Sequence, residues 1–332
     1  MRKAFFIIIV FVMAINLPVA MSETGDAGRA GAFLKFGLGA RSLGMGGAFG
    51  SIAEGVDAVY YNPGGLGFAT NKEVAFTYHS LTLDRHLNSA SIISPVRNEA
   101  VMAISWINSF VGSVEMRDSD RNPFGDFPNS NNSFGLSFAK RVSSDFSVGA
   151  NLRYIQATLD IINAYTIGVD LGAQFKIKDV AFGVSVNDLG SNFVWDSSNY
   201  WSGSRGKEYT DTFPVRVRGG ASAKFLNDQL ITSVDIVKIE ELAIKPYAGA
   251  EYWFLKDVEL LVEDEEAEDE VNVVNVDRRM LGVRTGYSDG SLTFGMSLYY
   301  PYGKFNGGLD YAFLTGKRDE GSNHIFTVKV MF

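Results

Sequence analysis

The sequence predicts an all-β protein, a transmembrane antiparallel β-barrel of about fourteen strands. Three observations lead there. Apolar and polar residues alternate at period two from about Val74 to the end, a targeting segment stands at the start, and the last strand ends on an aromatic residue, Phe332. Composition agrees: 35 Gly, 25 Phe and 14 Tyr against 8 Pro favour strands and turns. The absence of Cys excludes disulfide frameworks, thiolate metal sites and Cys nucleophiles. A formal charge of −8 argues against nucleic acid as a partner.

Residues 1–22 read as a signal peptide. Arg2 and Lys3 precede the apolar run Ala4 to Ile15, Asn16 and Pro18 break it, and Ala20-Met21-Ser22 offers small residues for cleavage. The run falls short of the ~20 apolar residues that a spanning helix needs. Loss of Arg2 and Lys3 leaves 28 of the 30 basic residues against 38 acidic ones, a formal charge of −10.

Residues 73–332 read as the barrel. Tyr165, Ile167, Val169, Leu171, Ala173, Phe175 and Ile177 share one face of a strand, with Thr166, Gly168, Asp170, Gly172, Gln174 and Lys176 on the other. Phe146–Tyr154 alternates likewise, and the pattern returns at Val180–Val186, Val215–Phe225, Ile244–Phe254, Leu281–Tyr287, Leu292–Leu298, Leu309–Phe313 and Phe326–Phe332. A soluble sandwich shares this period. The barrel is favoured by the signal peptide and by strand-end aromatics suited to interfacial girdles: Tyr154, Tyr165, Phe175, Tyr252, Phe254, Tyr287, Tyr299 and Tyr300. Charges at inward positions point the same way. The lumen candidates are Arg153, Asp170, Arg216, Arg218, Glu251 and Arg284, with Asp310 beside them. Phe326, Val328, Val330 and Phe332 form an apolar face that resembles the signal read by the barrel-assembly machinery of Gram-negative-type bacteria.

Residues 23–72 do not alternate. They are rich in Gly, and Asp57 is placed to N-cap a short helix through Tyr61, with Pro63 ending it. A dinucleotide loop fails on spacing, since Gly44 and Gly46 would require Gly where Phe49 stands. A fourteen-stranded lumen is too wide for wall side chains to fill, so this segment is expected inside it as a plug. Asn62-Pro63-Gly64-Gly65 is expected to turn the chain back to the wall, with Gly taking any positive-φ position. Arg41 and Asp57 are expected to tie the plug to Asp170, Arg216, Arg218 and Arg284.

Gly39-Ala40-Arg41-Ser42-Leu43-Gly44-Met45-Gly46-Gly47-Ala48-Phe49, followed by Asp57-Ala58-Val59-Tyr60-Tyr61-Asn62-Pro63-Gly64-Gly65-Leu66, resembles the N-terminal signature of the PorV/PorQ family, within the FadL-like outer-membrane barrels. The resemblance implies fourteen strands and an inward-folded plug carrying Arg41, Gly44, Gly46, Gly47, Asp57, Asn62, Pro63, Gly64 and Gly65. It also implies two activities: diffusion of hydrophobic compounds, as in the FadL branch, or a substrate-receiving role in type IX protein secretion.

Other constellations carry less. The acidic run Glu263–Glu270 reads as a solvated loop on the outer surface. Asp118-Ser119-Asp120-Arg121-Asn122 copies half a calcium loop, but Pro123 takes the Gly place and Asn129 that of the bidentate Glu. His79, His86 and His324 lack metal spacing, and neither Gly112-Ser113 nor Gly203-Ser204 makes a nucleophile elbow. The insertions Arg117–Asn132 and Asn187–Thr212, the latter with Trp195, Tyr200, Trp201 and Tyr209, read as interface-packing loops or, for the second, as a lid over an apolar entry. The expected function is passage of a small hydrophobic solute through a plugged barrel, without cofactor, metal or enzymatic chemistry. The expected partners are outer-membrane lipid, the barrel-assembly machinery and that solute. The rival is a secretion accessory that binds exported proteins; a third reading is an envelope scaffold.

Overall fold

The computed structural model describes residues 28–112, 114–198, 206–263, 271–302, 305–316 and 321–332. The signal-peptide reading therefore lies outside the described residues, as do Ser113, Tyr200, Trp201, Gly203-Ser204 and all of the acidic run except Glu263.

Among the described residues fourteen strands close into one antiparallel barrel. They are β1 (Glu73–Leu81), β2 (Arg85–Val96), β3 (Ala100–Val111), β4 (Asn129–Arg141), β5 (Phe146–Leu159), β6 (Ile162–Ile177) and β7 (Val180–Leu189). Then come β8 (Arg216–Phe225), β9 (Leu230–Ile239), β10 (Ile244–Glu263), β11 (Val271–Ser288), β12 (Ser291–Tyr302), β13 (Phe305–Leu314) and β14 (Asn323–Met331). Each pairs with its neighbours in the chain, and β14 closes on β1 with Phe326 opposite Tyr78. Closure leaves the wall without an unpaired edge, which is the condition for strands to sit in hydrocarbon.

The alternation explains the two faces. On β1, Val74, Phe76 and Tyr78 are exposed while Ala75, Thr77 and His79 are buried. The same holds around the ring at Ile92, Ile104, Leu136, Leu152, Ile167 and Val184, all outward and exposed. A band this continuous is far larger than the few hundred Å² of apolar patch that a soluble monomer tolerates, so its solvent is lipid. Phe326, Val328, Val330 and Phe332 belong to it. So do most of the expected girdle aromatics, but Tyr299 does not. It points inward and is 7% exposed, because it shares the face of Ser297 on β12 and lies against Lys329.

Strand parity sorts the connections. Both ends of the ring's chain, Glu73 and Met331, lie at one mouth, called here the terminal mouth. The long connections after β3 and β7 lie at the opposite mouth; each carries a hairpin, Glu115–Arg117 with Pro123–Asp126 and Asn192–Asp196 with Glu208–Thr212. Short turns accept left-handed backbone, as at Asp289 (φ 45°) and Gly290 (φ 90°) between β11 and β12. The strand ends joined by the acidic run, Glu263 of β10 and Val271 of β11, are at the terminal mouth. An odd number of strands, seven or three, separates that connection from the long ones, and the acidic run itself, Glu263 excepted, lies outside the described residues.

Residues 28–69 form no strand. They contain 3₁₀ turns at Ala32–Lys35, Gly55–Asp57 and Pro63–Phe68, and two short helices, α1 (Ala40–Gly44) and α2 (Ala58–Tyr61). Phe33, Leu34, Met45, Phe49, Tyr61 and Leu66 are buried in one apolar cluster with inward wall residues such as Leu87, Ile93, Ile107 and Ile155. The core of this molecule is thus inside the barrel.

Candidate functional site

The segment enters at the mouth opposite the termini. Arg29 Nη1 donates to Glu241 Oε2 (2.8 Å) in the turn after β9. Gly31 abuts Phe213, which packs edge-on against Phe193 at 4.8 Å between ring centroids. These two rings, Phe193 in the second insertion and Phe213 just after it, are buried in one cluster with Ala30, Phe33 and Leu34, while Tyr209 is exposed and Trp195 packs at the edge. The chain leaves at the terminal mouth, where the Lys72 and Phe332 backbones exchange hydrogen bonds.

In between, the segment is held by buried charge. Glu251 Oε1 and Oε2 accept a two-pronged bond from Arg41 (Nη2 at 2.8 Å, Nε at 2.9 Å); Arg284 Nε (2.9 Å) and Trp253 Nε1 (2.6 Å) donate as well. Four donors on a carboxylate with no exposed area replace its water. Arg41 also donates to Glu54 (2.5 Å), and its guanidinium lies 5.4 Å from the Phe49 ring centroid. Asp235 accepts from Arg218 (2.6 Å) and from the Phe49 and Gly50 backbones (3.0 and 2.8 Å); Arg218 donates onward to the Gly47 carbonyl (2.8 Å). Arg216 donates to Tyr60 Oη (2.9 Å), Thr293 to the Gly44 carbonyl (3.0 Å), and Ala40 N to Thr327 (2.9 Å). Apart from the Arg41–Glu54 bond within the segment, these bonds land on β8–β10, β12 or β14.

Asn62 fastens the far end. Its Nδ2 donates to the Gly50 and Ala173 carbonyls (2.8 and 3.0 Å) and its Oδ1 accepts from Gly64 N (3.0 Å). The expected turn forms, with Gly65 N donating to the Asn62 carbonyl (2.9 Å), but neither Gly64 nor Gly65 takes positive φ. They lie in the 3₁₀ turn Pro63–Phe68, and Gly64 is needed for contact: a Cβ there would stand 2.7 Å from Ala173 Cα in the wall. Gly46 meets both demands, with φ 68° and a Cβ position 2.6 Å from the Tyr287 backbone N. Gly44 ends α1 beside Arg284, and Gly47 supplies the carbonyl to Arg218.

The predicted charges are all buried, but their partners differ from expectation. Arg153 pairs within the wall, to Asp170 (2.7 Å) and Asp188 (2.6 Å). Arg41 goes to Glu251 and Glu54 rather than to Asp170. Asp57 makes no helix cap, since the 3₁₀ turn runs directly into α2 with Asp57 in helical geometry; its carboxylate lies 3.9 Å from Lys329 Nζ. Burial pushes the Asp57 carboxyl above the usual range, against the pull of Lys329. Glu54, Asp235, Trp253 and Lys329 were not singled out from sequence. The inward parity of Asp235 and Lys329 was the available signal for two of them.

The opposite stretch of wall is different. The middle inward positions of β1–β4 are uncharged and mostly small, with Ala75, Thr77, Ser89, Ser91, Ala103, Ser105, Ser133 and Ser137, and the charges Glu73 and Arg85 stand at the ends of their strands. An internal cavity of about 30 Å³ lies between them and the segment, and a second of about 70 Å³ lies near Arg41, Lys176 and Lys224. Neither approaches the ~150 Å³ that holds a benzene. His79, fully buried on β1, has no hydrogen-bond partner at either ring nitrogen, while His86 and His324 stack outward against Phe110 and Tyr311. Among the described residues no group of three His, Cys, Asp or Glu is arranged to hold a metal. Asp118 Oδ1 instead accepts from the backbones of Asp120 and Asn122.

No family model matches the chain, and no curated protein does. Solved structures do. The toluene transporter TodX of Pseudomonas putida superposes with a TM-score of 0.55 at 14% identity, covering 89% of this chain and 97% of its own. A FadL homologue of Pseudomonas aeruginosa gives 0.57 at 10%, covering 88% and 97%. The CymD monoaromatic hydrocarbon channel gives 0.52 at 12%, covering 89% and 97%. At these identities the likeness is one of fold, and the fold is that of FadL-type barrels.

Proposed function

We propose that this protein sits in the outer membrane of a Gram-negative-type bacterium and lets a small hydrophobic solute pass inward, with no covalent chemistry. The observation that carries the reading is a lipid-type outer band around a lumen filled by residues 28–69, and the cavities described beside that segment are too small for a benzene-sized solute. Passage then requires the segment to shift, and most of its charged anchors are on one side. The names of the TodX and CymD neighbours, a toluene transporter and a monoaromatic hydrocarbon channel, support a hydrophobic cargo. The secretion-accessory reading has only the resemblance of Gly39–Phe49 and Asp57–Leu66 in its favour.

The test is initial uptake of radiolabelled toluene by cells that express the protein, compared with cells that do not. Fractionation should find the protein in the outer membrane, and uptake should rise several-fold. Equal uptake with a folded barrel in that membrane overturns the reading.

A further inference from the structure

The cavity against β1–β5 has a chemistry of its own. Two rows of the wall cross it. One runs Ala75, Ser91, Ser105, Gly135, Arg153 and the other Thr77, Ser89, Ile107, Ser133, Ile155, each set paired side by side across the five strands. The next row toward the terminal mouth begins Glu73, Ile93, Ala103, and the next row outward has His79 and Leu87. Five hydroxyls thus gather at mid-height, against one on each flanking row, Ser137 and Ser109, where Ile93 and Leu87 are buried in the apolar cluster.

The chamber also holds unanswered donors. Arg153 and Arg216 both line it, at 4% and 5% exposure, and the Nε–H of each has no partner. A buried donor without a partner costs about 1–3 kcal/mol, which a molecule carrying an acceptor would recover. About 30 Å³ is room for roughly two waters when the chamber is closed. Charge then restricts the guest. Asp57 and Asp170 line the same space as the two arginines, so neither an anion nor a cation gains a net field there.

Resting on the passage reading above, we propose that this chamber is a polar station on the route, and that the cargo is a small apolar molecule bearing a neutral hydroxyl, a phenol or an alcohol, rather than a plain hydrocarbon. The hydroxyl oxygen accepts from Arg153 or Arg216 Nε–H, and its proton goes to a serine oxygen. The apolar body lies against Ile107 and Val59. Entry displaces the segment from the middle of β1–β4, where no charged side chain of the wall grips it.

The experiment compares uptake of toluene and of benzyl alcohol, which is toluene with one hydroxyl added, by outer-membrane-intact cells. Wild type should raise benzyl alcohol uptake over non-expressing cells about tenfold more than it raises toluene uptake, the ratio that one or two net hydrogen bonds supply. The combined variant S89A, S91A and S105A removes three hydroxyls with little change of volume and should bring that preference close to one. Its heat-modifiable migration should match wild type; where it does not, S105A alone is read instead and should lose part of the preference. Equal enhancement of both solutes, or a preference that survives removal of the serines, overturns the polar station while leaving passage intact. No enhancement of either solute overturns passage itself.

Discussion

The wall from β8 to β14 and the wall from β1 to β4 treat the same N-terminal segment in opposite ways. The first carries Arg216, Arg218, Asp235, Glu251, Arg284, Asp310 and Lys329 inward and grips the segment through Arg41, Gly47, Phe49 and Tyr60. The second offers mainly serines, alanines and a few aliphatics, with Glu73 and Arg85 only at its two ends, beside Gly55 and Phe36 of the segment. The difference teaches where this lumen can yield. Pulling charge partners apart in a dry interior costs several kcal/mol per ion, whereas parting hydroxyls and methyl groups costs about 1 kcal/mol per contact. The segment should therefore hinge on β8–β14 and open against β1–β4.

The largest test removes the segment. Deleting residues 29–65 while keeping residues 1–28 should leave an inserted barrel whose single-channel conductance in a planar bilayer exceeds that of the intact protein at least tenfold. A conductance equal to wild type from a folded deletion would end the comparison, because the lumen would then be closed by the wall.

Glu251→Gln comes next. It leaves Arg41 and Arg284 facing a neutral amide, and breaking a buried ion pair this way costs about 3–5 kcal/mol. Protection of the amides of residues 40–50 against hydrogen exchange should fall by a factor of 100 or more, while Ser105→Ala should change it less than threefold. Similar effects from both variants would erase the distinction between the two walls.

Gly64→Val tests the backbone contact with Ala173. The 2.7 Å clearance leaves no room for a Cβ, so 62–68 must back away from β6. A leak smaller than that of the deletion, together with new protease cleavage near residue 64, is expected. The smallest effect belongs to Asp57→Asn. Since the docked carboxyl is raised by burial, the docked segment holds its proton more tightly than the free one. Docking is strongest below the ordinary carboxylate pKa of about 3.9 and weakens as pH rises through the raised value. Wild type should show slightly more exchange in 40–60 at neutral pH than in mild acid, and Asp57→Asn should lack this one contribution. An identical pH profile for the two proteins would show that Asp57 is not a titrating contact.

Legibility followed the geometry of each region. β6 was read residue by residue, because its outward row is apolar and its inward row is Gly, Asp and Gln. β9 was not read as a strand of its own, because Ile231, Val237 and Ile239 point inward to apolar neighbours while Val234 and Ile236 point out, so period two vanishes. An aromatic near a strand end looks the same from either face, so the sequence alone places Tyr299 in the girdle. Asp57 was read as a cap from local rules, yet its contact is Lys329, 272 positions away.

What the sequence determined by itself is what repeats or acts locally: the strand period, the approximate strand number, the inward placement of Arg153, Arg216 and Glu251, and the outward face of Phe326 to Phe332. Each of these is set by a residue and its neighbours two positions away, and the pleat converts that spacing into a face. Only the tertiary structure decided which charges meet. Barrel closure brings β10, β11, β13 and β14 around one segment, so that Arg41 finds Glu251 and Asp57 finds Lys329. Coulomb energy depends on distance in space, and no spacing along the chain encodes it.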